Sequence, residues 1–546
     1  MRTHRSRLAA IAALATAAAV ALAGCTTTTD STASSAATPV EGGSVTWAVA
    51  AEPSSFAPAF HQLLSDRQVL RNLFDSLVYQ ESDGSFSPWL AESWTVSDDG
   101  LEYDFTIKDG ITFSDGATLD AEAVKENYDY TRDADNGSVY STLLGSVDDI
   151  TADGLELTIT LAQPDSSLLS ALSSVALGIV DPAGLDEGDA LGSPSDALSG
   201  SGPFTIESYT RGSEIVLARN DDYDWAPDSV SHDGPAYLET VTYQFVSEDS
   251  TRVGELTSGQ VEVISGVPAL QVSQIESTDG LEYTEGPASQ STFGFVINGS
   301  SENAPWDDVN LRKAFRDSFD LDTIVESVYQ GGATRAWSWV GQDNPDYDSA
   351  LEGAWGDDID EANALLDEAG WTEYDSDGYR TKDGQRLTLT VTYDSDSIRD
   401  SRDTLIEAIQ DAVKTNVGIE LDFQTPTWAE LSETIADGTW SVYPATFGQV
   451  NYASSVVGTW AGYFYAATAW QPTEAITAAE DALTATDETQ YQDDLDTIQQ
   501  YLVEDEALFV PLTESTFQIA NSTSVHGLGF DYSSGSPDSN YNVWVG

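Results

Sequence analysis

The chain has 546 residues, too many for one hydrophobic core, so two or three lobes are expected. Its 40% hydrophobic and 10% aromatic content is that of a globular protein. A formal net charge of −71, from 92 acidic and 21 basic residues, removes the basic footprint that nucleic-acid binding requires. Charge spread over the whole chain speaks to a solvated acidic surface or a bias in composition, with attraction for a cationic ligand as the alternative. The one cysteine, Cys25, excludes an intrachain disulfide and a thiolate metal cluster.

Residues 1–24 read as a signal peptide. Arg2, Arg5 and Arg7 form a positive start, and Leu8 to Ala21 is an Ala/Leu-rich stretch too short for a stable membrane span. Leu22-Ala23-Gly24-Cys25 resembles a bacterial lipobox, which implies cleavage before Cys25 and a lipid anchor on its sulfur. An exported protein with a stray cysteine is the alternative. Residues 25–43 are Ser/Thr/Ala-rich and read as a flexible linker.

Folding is expected from Ser44. Val45, Trp47 and Val49 alternate as a strand, and the loop AEPSSFAP follows. Ser65 and Gln68 have capping-box spacing for a helix with Val69, Leu73 and Leu77 on one face. From Pro88 to Tyr130 the chain reads LAESW, a strand with Tyr103, Phe105 and Ile107, then KDG-ITFSDG. Asp99-Gly100, Asp109-Gly110 and Asp115-Gly116 are turn pairs, and Asp120 suits the cap of a helix carrying Ala121, Val124 and Tyr128. This order of parts resembles the signature of the extracellular solute-binding proteins of family 5, the oligopeptide, dipeptide and nickel-binding components of ABC importers.

Further along, Leu155, Leu157, Ile159 and Leu161 alternate as a strand, and residues 181–200 are rich in Gly, Ser, Pro and Asp, as where the chain crosses between lobes. Gly202-Pro203-Phe204 and Arg219-Asn220-Asp221-Asp222-Tyr223 hold the places of a second motif of that family, and Asp307 to Phe315 those of a third. Phe245 to Ile264 reads as strand–helix–strand, with Glu262 where the family usually has Asp. Asp360 to Gly370 is an amphipathic helix, with Asp360 at its N-cap. Leu387–Tyr393, a helix through Leu405, Ile409 and Val413, and Ile419–Phe423 form a parallel βαβ unit. Glu474 to Glu504 reads as one long helical region, and Phe509–Leu512 as a buried strand returning to the first lobe.

The resemblance implies an α/β, class II (cluster C type) periplasmic-binding-protein-like fold, with two lobes joined by hinge crossings and an accessory third domain. Domain I would comprise residues 44–80, 196–290 and 509–546, accessory domain II residues 81–195, and domain III residues 291–508. The first strand and its loop would border the ligand cleft, making Phe56 and His61 candidates, with a packed or surface histidine as the other reading of His61. Trp428 stands where the family often carries a cleft tryptophan, with core packing as its alternative; Tyr140, Phe447 and Tyr452 are further candidates. In peptide-binding members an Asp often pairs with the terminal ammonium. Here Val450, or with a one-residue slip Gln449 or Asn451, holds that place, and no carboxylate lies between Thr446 and Thr459. Either another acid serves, or the ligand lacks an amino terminus, as an oligosaccharide, blocked peptide or metal chelate would.

No HExxH, CxxC, GxSxG or phosphate-cradling loop is present, and Asp375-Ser376-Asp377-Gly378 has too few ligands for a calcium loop. The expectation is therefore a non-enzymatic, monomeric receptor, anchored outside the cell membrane. It would need no cofactor, bind a small solute (a peptide first of all) and deliver it to permease and ATPase subunits. A lipid-anchored hydrolase and a structural surface protein are the readings from other classes. Turnover lost on removing one carboxylate would mark the hydrolase, and absence of transporter genes nearby the structural protein.

Overall fold

Two β-sheets of different connectivity organise the chain. The computed structural model describes residues 38–546 apart from 186, 188–190, 195–197, 231, 395–400, 447–452, 454–455 and 469. In the first, seven-stranded sheet, Ser44–Val49 lies between Val263–Ser265 and Thr240–Phe245 and is parallel to both. Parallel neighbours need crossovers, and one is the helix Asp249–Ser258, ended by Gly259 at φ 71°. Glu214–Arg219 and Phe204–Thr210 extend one side, Gln518–Ser522 and Leu281–Glu285 the other.

The second, five-stranded sheet runs Glu420–Gln424, Thr388–Thr392, Val442–Ala445, Phe293–Ile297, Phe509–Thr513. Thr388–Thr392 is parallel to Glu420–Gln424, and the helix Arg402–Val417 makes the crossover, as the alternating pattern predicts. A four-stranded antiparallel sheet (Ala91–Val96, Glu102–Ile107, Glu156–Leu161, Val147–Asp153) forms the accessory unit. Asp120 caps its helix Ala121–Arg132 by accepting the Ala123 N–H at 3.1 Å.

Among the described residues the apolar side chains gather into two large cores. One joins the seven-stranded sheet to the accessory unit, from Trp47 and Phe74 to Phe105 and Leu157. The other fills the second lobe, from Phe295 and Phe315 to Leu389 and Leu495. Two short segments, 286–292 and 514–517, carry the chain between the two sheets. They are tied by Gly286 N–H to Phe517 O at 2.7 Å and by the Thr516 hydroxyl to Glu285 at 2.5 Å. A third tie joins the accessory unit to the second lobe, where Ser166 donates to the carbonyls of Leu483 and Ala482 at 2.9 and 3.0 Å. Those carbonyls end the helix Thr473–Leu483, where the last C=O groups lack intrahelical partners; Ala482 O also accepts the Ala485 N–H at 3.2 Å.

Several elements differ from the sequence expectation. The first helix spans Leu64–Leu70, and its entry is held by Asp66, which accepts the Leu63 N–H at 3.1 Å; Gln68 instead donates to Ser65 O. Leu73 and Leu77 are buried beyond its end, because residues 71–77 leave the helix to meet residues 202–204. Asp358, not Asp360, caps the helix Ile359–Glu368 through the Glu361 N–H. Glu474 to Glu504 breaks at residues 484–487, where Asp487 caps a second helix, Glu488–Gln500. Phe509–Thr513 pairs with Phe293–Ile297 in the second sheet, so the return to the first lobe follows this strand rather than beginning with it. Its Phe and Val side chains belong to the second core.

Candidate functional site

In sheets with parallel strands, crevices form beyond the strand carboxyl ends. Here Val49, Phe245 and Ser265 end at one edge of the first sheet, and the same edge holds Glu285 and Gln518. In the second sheet Thr392, Gln424 and Ala445 end at one edge, which also holds Phe293 and Thr513. Both crossings therefore leave and enter the sheets at these carboxyl edges. A crevice between the two lobes at this edge would be floored by the chain crossings themselves.

The candidates fall around it unevenly. Phe56, on the loop after Ser44–Val49, is buried and packs edge-on to Tyr209 at 5.3 Å. Trp428 follows Glu420–Gln424 and opens the helix Trp428–Ala436, with Thr427 and Glu430 as its capping box. It is 51% exposed, which decides against core packing. Phe447, Gln449, Asn451 and Tyr452, which follow Val442–Ala445, lie outside the described residues, as does Cys25.

His61 and Tyr140 come together. The rings are 4.9 Å apart and the Tyr140 hydroxyl lies 3.0 Å from His61 Nε2. His61 Nδ1 lies 2.8 Å from Pro58 O, so this nitrogen carries the proton and donates. Nε2 then accepts from both Tyr140 and Arg67 Nε, the latter at 3.3 Å. Burial first, then the Arg67 charge, holds the His61 pKa down to about 3, so the ring is neutral. A neutral imidazole with both nitrogens engaged positions the loop from residue 54 to 61; to ligate a metal it would have to surrender two hydrogen bonds. Among the described residues no group of three His, Cys, Asp or Glu could hold a metal ion.

The crossings carry polar groups that sequence reasoning did not single out. Gln290 Oε1, Ser515 Oγ and both carboxyl oxygens of Glu514 are buried with no hydrogen-bond partner. Burial, reinforced by Asp343 and Glu285, pushes the Glu514 pKa up to about 8. The Gln342 amide pulls the other way, by less than burial. The signal was present in the chain: an acid directly after the apolar run Phe509-Val510-Pro511-Leu512 is out of place unless it has a use. A cavity of about 770 Å³ also opens between the accessory unit (Phe86, Tyr103, Pro164) and the second lobe (Pro345, Tyr491). None of Phe56, His61, Tyr140 and Trp428 lines it.

Comparison with known proteins places this architecture. The family model of the bacterial extracellular solute-binding proteins, family 5, matches residues 85–468. The chain is 26% identical over 504 residues to the oligopeptide-binding protein AppA of Bacillus subtilis, covering 86% of each chain. It is 25% identical to the probable D,D-dipeptide-binding periplasmic protein DdpA of Escherichia coli, covering 88% of this chain and 90% of the relative. The crystal structure of NikA from Brucella suis in complex with Fe(III)-EDTA superposes with a TM-score of 0.77 at 22% identity. That likeness covers 92% of this chain and 100% of the other.

Proposed function

The chain belongs to the bacterial extracellular solute-binding proteins of family 5, and we propose that it captures an oligopeptide outside the cell and delivers it to the permease of an ABC importer. The observation that carries this reading is the division of the fold into two separate cores linked at one edge by two short crossings. Such a pair of lobes can close over a solute by changing a few backbone angles in residues 286–292 and 514–517 without opening either core. The names of AppA and DdpA favour a peptide. The NikA complex with Fe(III)-EDTA suggests a metal chelate as the second reading; His61 would supply no ligand to its metal, because both ring nitrogens are already engaged.

Trp428, with Phe447, Gln449, Asn451 and Tyr452, would line the second-lobe wall. Phe56, His61 and Tyr140 would hold the first-lobe wall in place. Export through residues 1–24, attachment to the membrane through Cys25, and action as a monomer that releases its solute unaltered complete the proposal.

The test is thermal unfolding of residues 25–546 with a mixture of unblocked di- to pentapeptides. Binding to the native state raises Tm with concentration, and peptides are recovered intact. No shift with any peptide, or cleavage at an enzyme's pace, refutes the proposal.

A further inference from the structure

Glu514 is the first residue of the second crossing, one step beyond the carboxyl edge of the second sheet and four before that of the first. Its surroundings come from both lobes: Glu285 ends a strand of the first sheet, whereas Gln342, Asp343 and Tyr347 belong to the second lobe. The backbone at this point is fixed by Glu514 N–H to Thr334 O at 2.9 Å.

The other two acids are in use. Asp343 accepts the Ala288 N–H at 2.9 Å and Glu285 accepts the Thr516 hydroxyl. Glu514 is 8% exposed and neither of its oxygens has a donor. The cation closest along the strand pairing, Arg335 opposite Thr513, is committed to Asp322 at 2.7 Å and lies over Trp337 at 3.4 Å. A desolvated carboxylate in this position is unfavourable, so in the empty protein the group holds a proton, in keeping with its raised pKa.

We propose that Glu514 receives a cationic group of the bound solute, an ammonium or a guanidinium, and so restricts the cargo to molecules carrying positive charge. This rests on the solute-binding reading above and supplies the acid that the segment from Thr446 to Thr459 lacks. On binding, the carboxyl gives its proton to bulk water and the carboxylate pairs with the solute's cation. One proton leaves, one ion pair forms, and the buried charge is neutralised.

The test uses residues 25–546 and two probes: a mixture of tripeptides without Lys or Arg, and the same mixture N-acetylated. Affinity is read by thermal shift, and proton release by an indicator dye in weak buffer at pH 7. The wild type is expected to bind the unblocked mixture at least ten-fold more tightly than the acetylated one. It should release a proton from Glu514 on binding, since a group of pKa about 8 is mostly protonated at pH 7. Glu514→Gln should keep its Tm, bind the unblocked mixture at least ten-fold more weakly and release no proton. Glu514→Asp, which keeps the charge, should recover part of both. Equal binding of the two mixtures by the wild type, or a Glu514→Gln protein that binds as the wild type does, overturns the assignment while leaving the receptor reading intact. If neither mixture binds, the peptide reading falls, and mass spectrometry of solutes released from the denatured wild type decides for Glu514. A cation-bearing molecule supports it and a neutral or anionic one overturns it.

Discussion

Arg71 and Asp531 form an ion pair inside the first lobe, and its loss should be the most costly single change there. Their side chains are 1% and 4% exposed, and Arg71 Nε and Nη2 both reach Asp531 Oδ2, at 2.9 and 2.6 Å. Nη1 donates to Ser76 Oγ at 2.8 Å, Nη2 also donates to Ser173 O at 2.9 Å, and the guanidinium lies 5.0 Å from the Trp89 ring. Asp531→Ala takes away the carboxylate bonded to that buried guanidinium, leaving it neutral hydrogen-bond partners and the nearby charge of Asp538. Removing one member of a buried pair costs about 3–5 kcal/mol, more than the pair itself contributes against an apolar replacement. Arg71→Met with Asp531→Leu should therefore be less destabilised than Asp531→Ala alone. Urea titration followed by tryptophan fluorescence measures both. A loss below about 1 kcal/mol for Asp531→Ala, or a double variant as unstable as the single, would refute the desolvation argument. The consequence reaches function, because the segment that Asp531 holds packs, through Phe530 and Gly535, against Gly286 of the first crossing.

Three further outcomes follow from the structure. A Cβ at Gly202 would stand 2.5 Å from Leu73 C and 2.6 Å from Asn72 O, both backbone atoms, so Gly202→Ala should cost about 1–3 kcal/mol in urea. Burial raises the pKa of Asp75 to about 7, of Asp346 to about 6 and of Glu514 to about 8, all above their unfolded values. The native state thus holds more protons than the unfolded one. The stability these groups contribute is full below about pH 4 and is lost as pH rises through 6 to 8, so Tm should be higher at pH 5 than at pH 8.5. A flat or rising profile contradicts this. Trp428→Ala removes a half-exposed side chain, so stability should change by less than about 0.5 kcal/mol while peptide affinity falls at least ten-fold; unchanged affinity would remove Trp428 from the cleft wall.

Much of the fold was legible because it is written in short-range patterns. The alternation of Tyr103, Phe105 and Ile107, the Asp-Gly turns and the Asp120 cap each need only neighbours in sequence, and all three stand in the structure. Gly202-Pro203-Phe204 is a motif for a physical reason visible only after folding: the Gly202 N–H meets Leu73 O at 3.0 Å, and no side chain fits between. What the sequence hid is long-range. Phe509–Thr513 is apolar enough for either sheet, and only its pairing with Phe293–Ile297 assigns it to the second lobe. His61 could be read as a ligand until Arg67 and Tyr140, 6 and 79 residues away, were seen to occupy its Nε2. Glu514 is one acid among 92 until its burial and lack of a partner set it apart.

Closure of the two lobes is most directly measured as a distance. Residues 39–546 contain no cysteine, so Ser213→Cys, in the turn before Glu214–Arg219, and Thr404→Cys, in the helix Arg402–Val417, place one label on each lobe. Pulsed electron resonance between them should give one distribution without solute and a displaced one with saturating peptide, reverting on its removal. A distribution that stays in place while peptide is bound would contradict the hinged-lobe account.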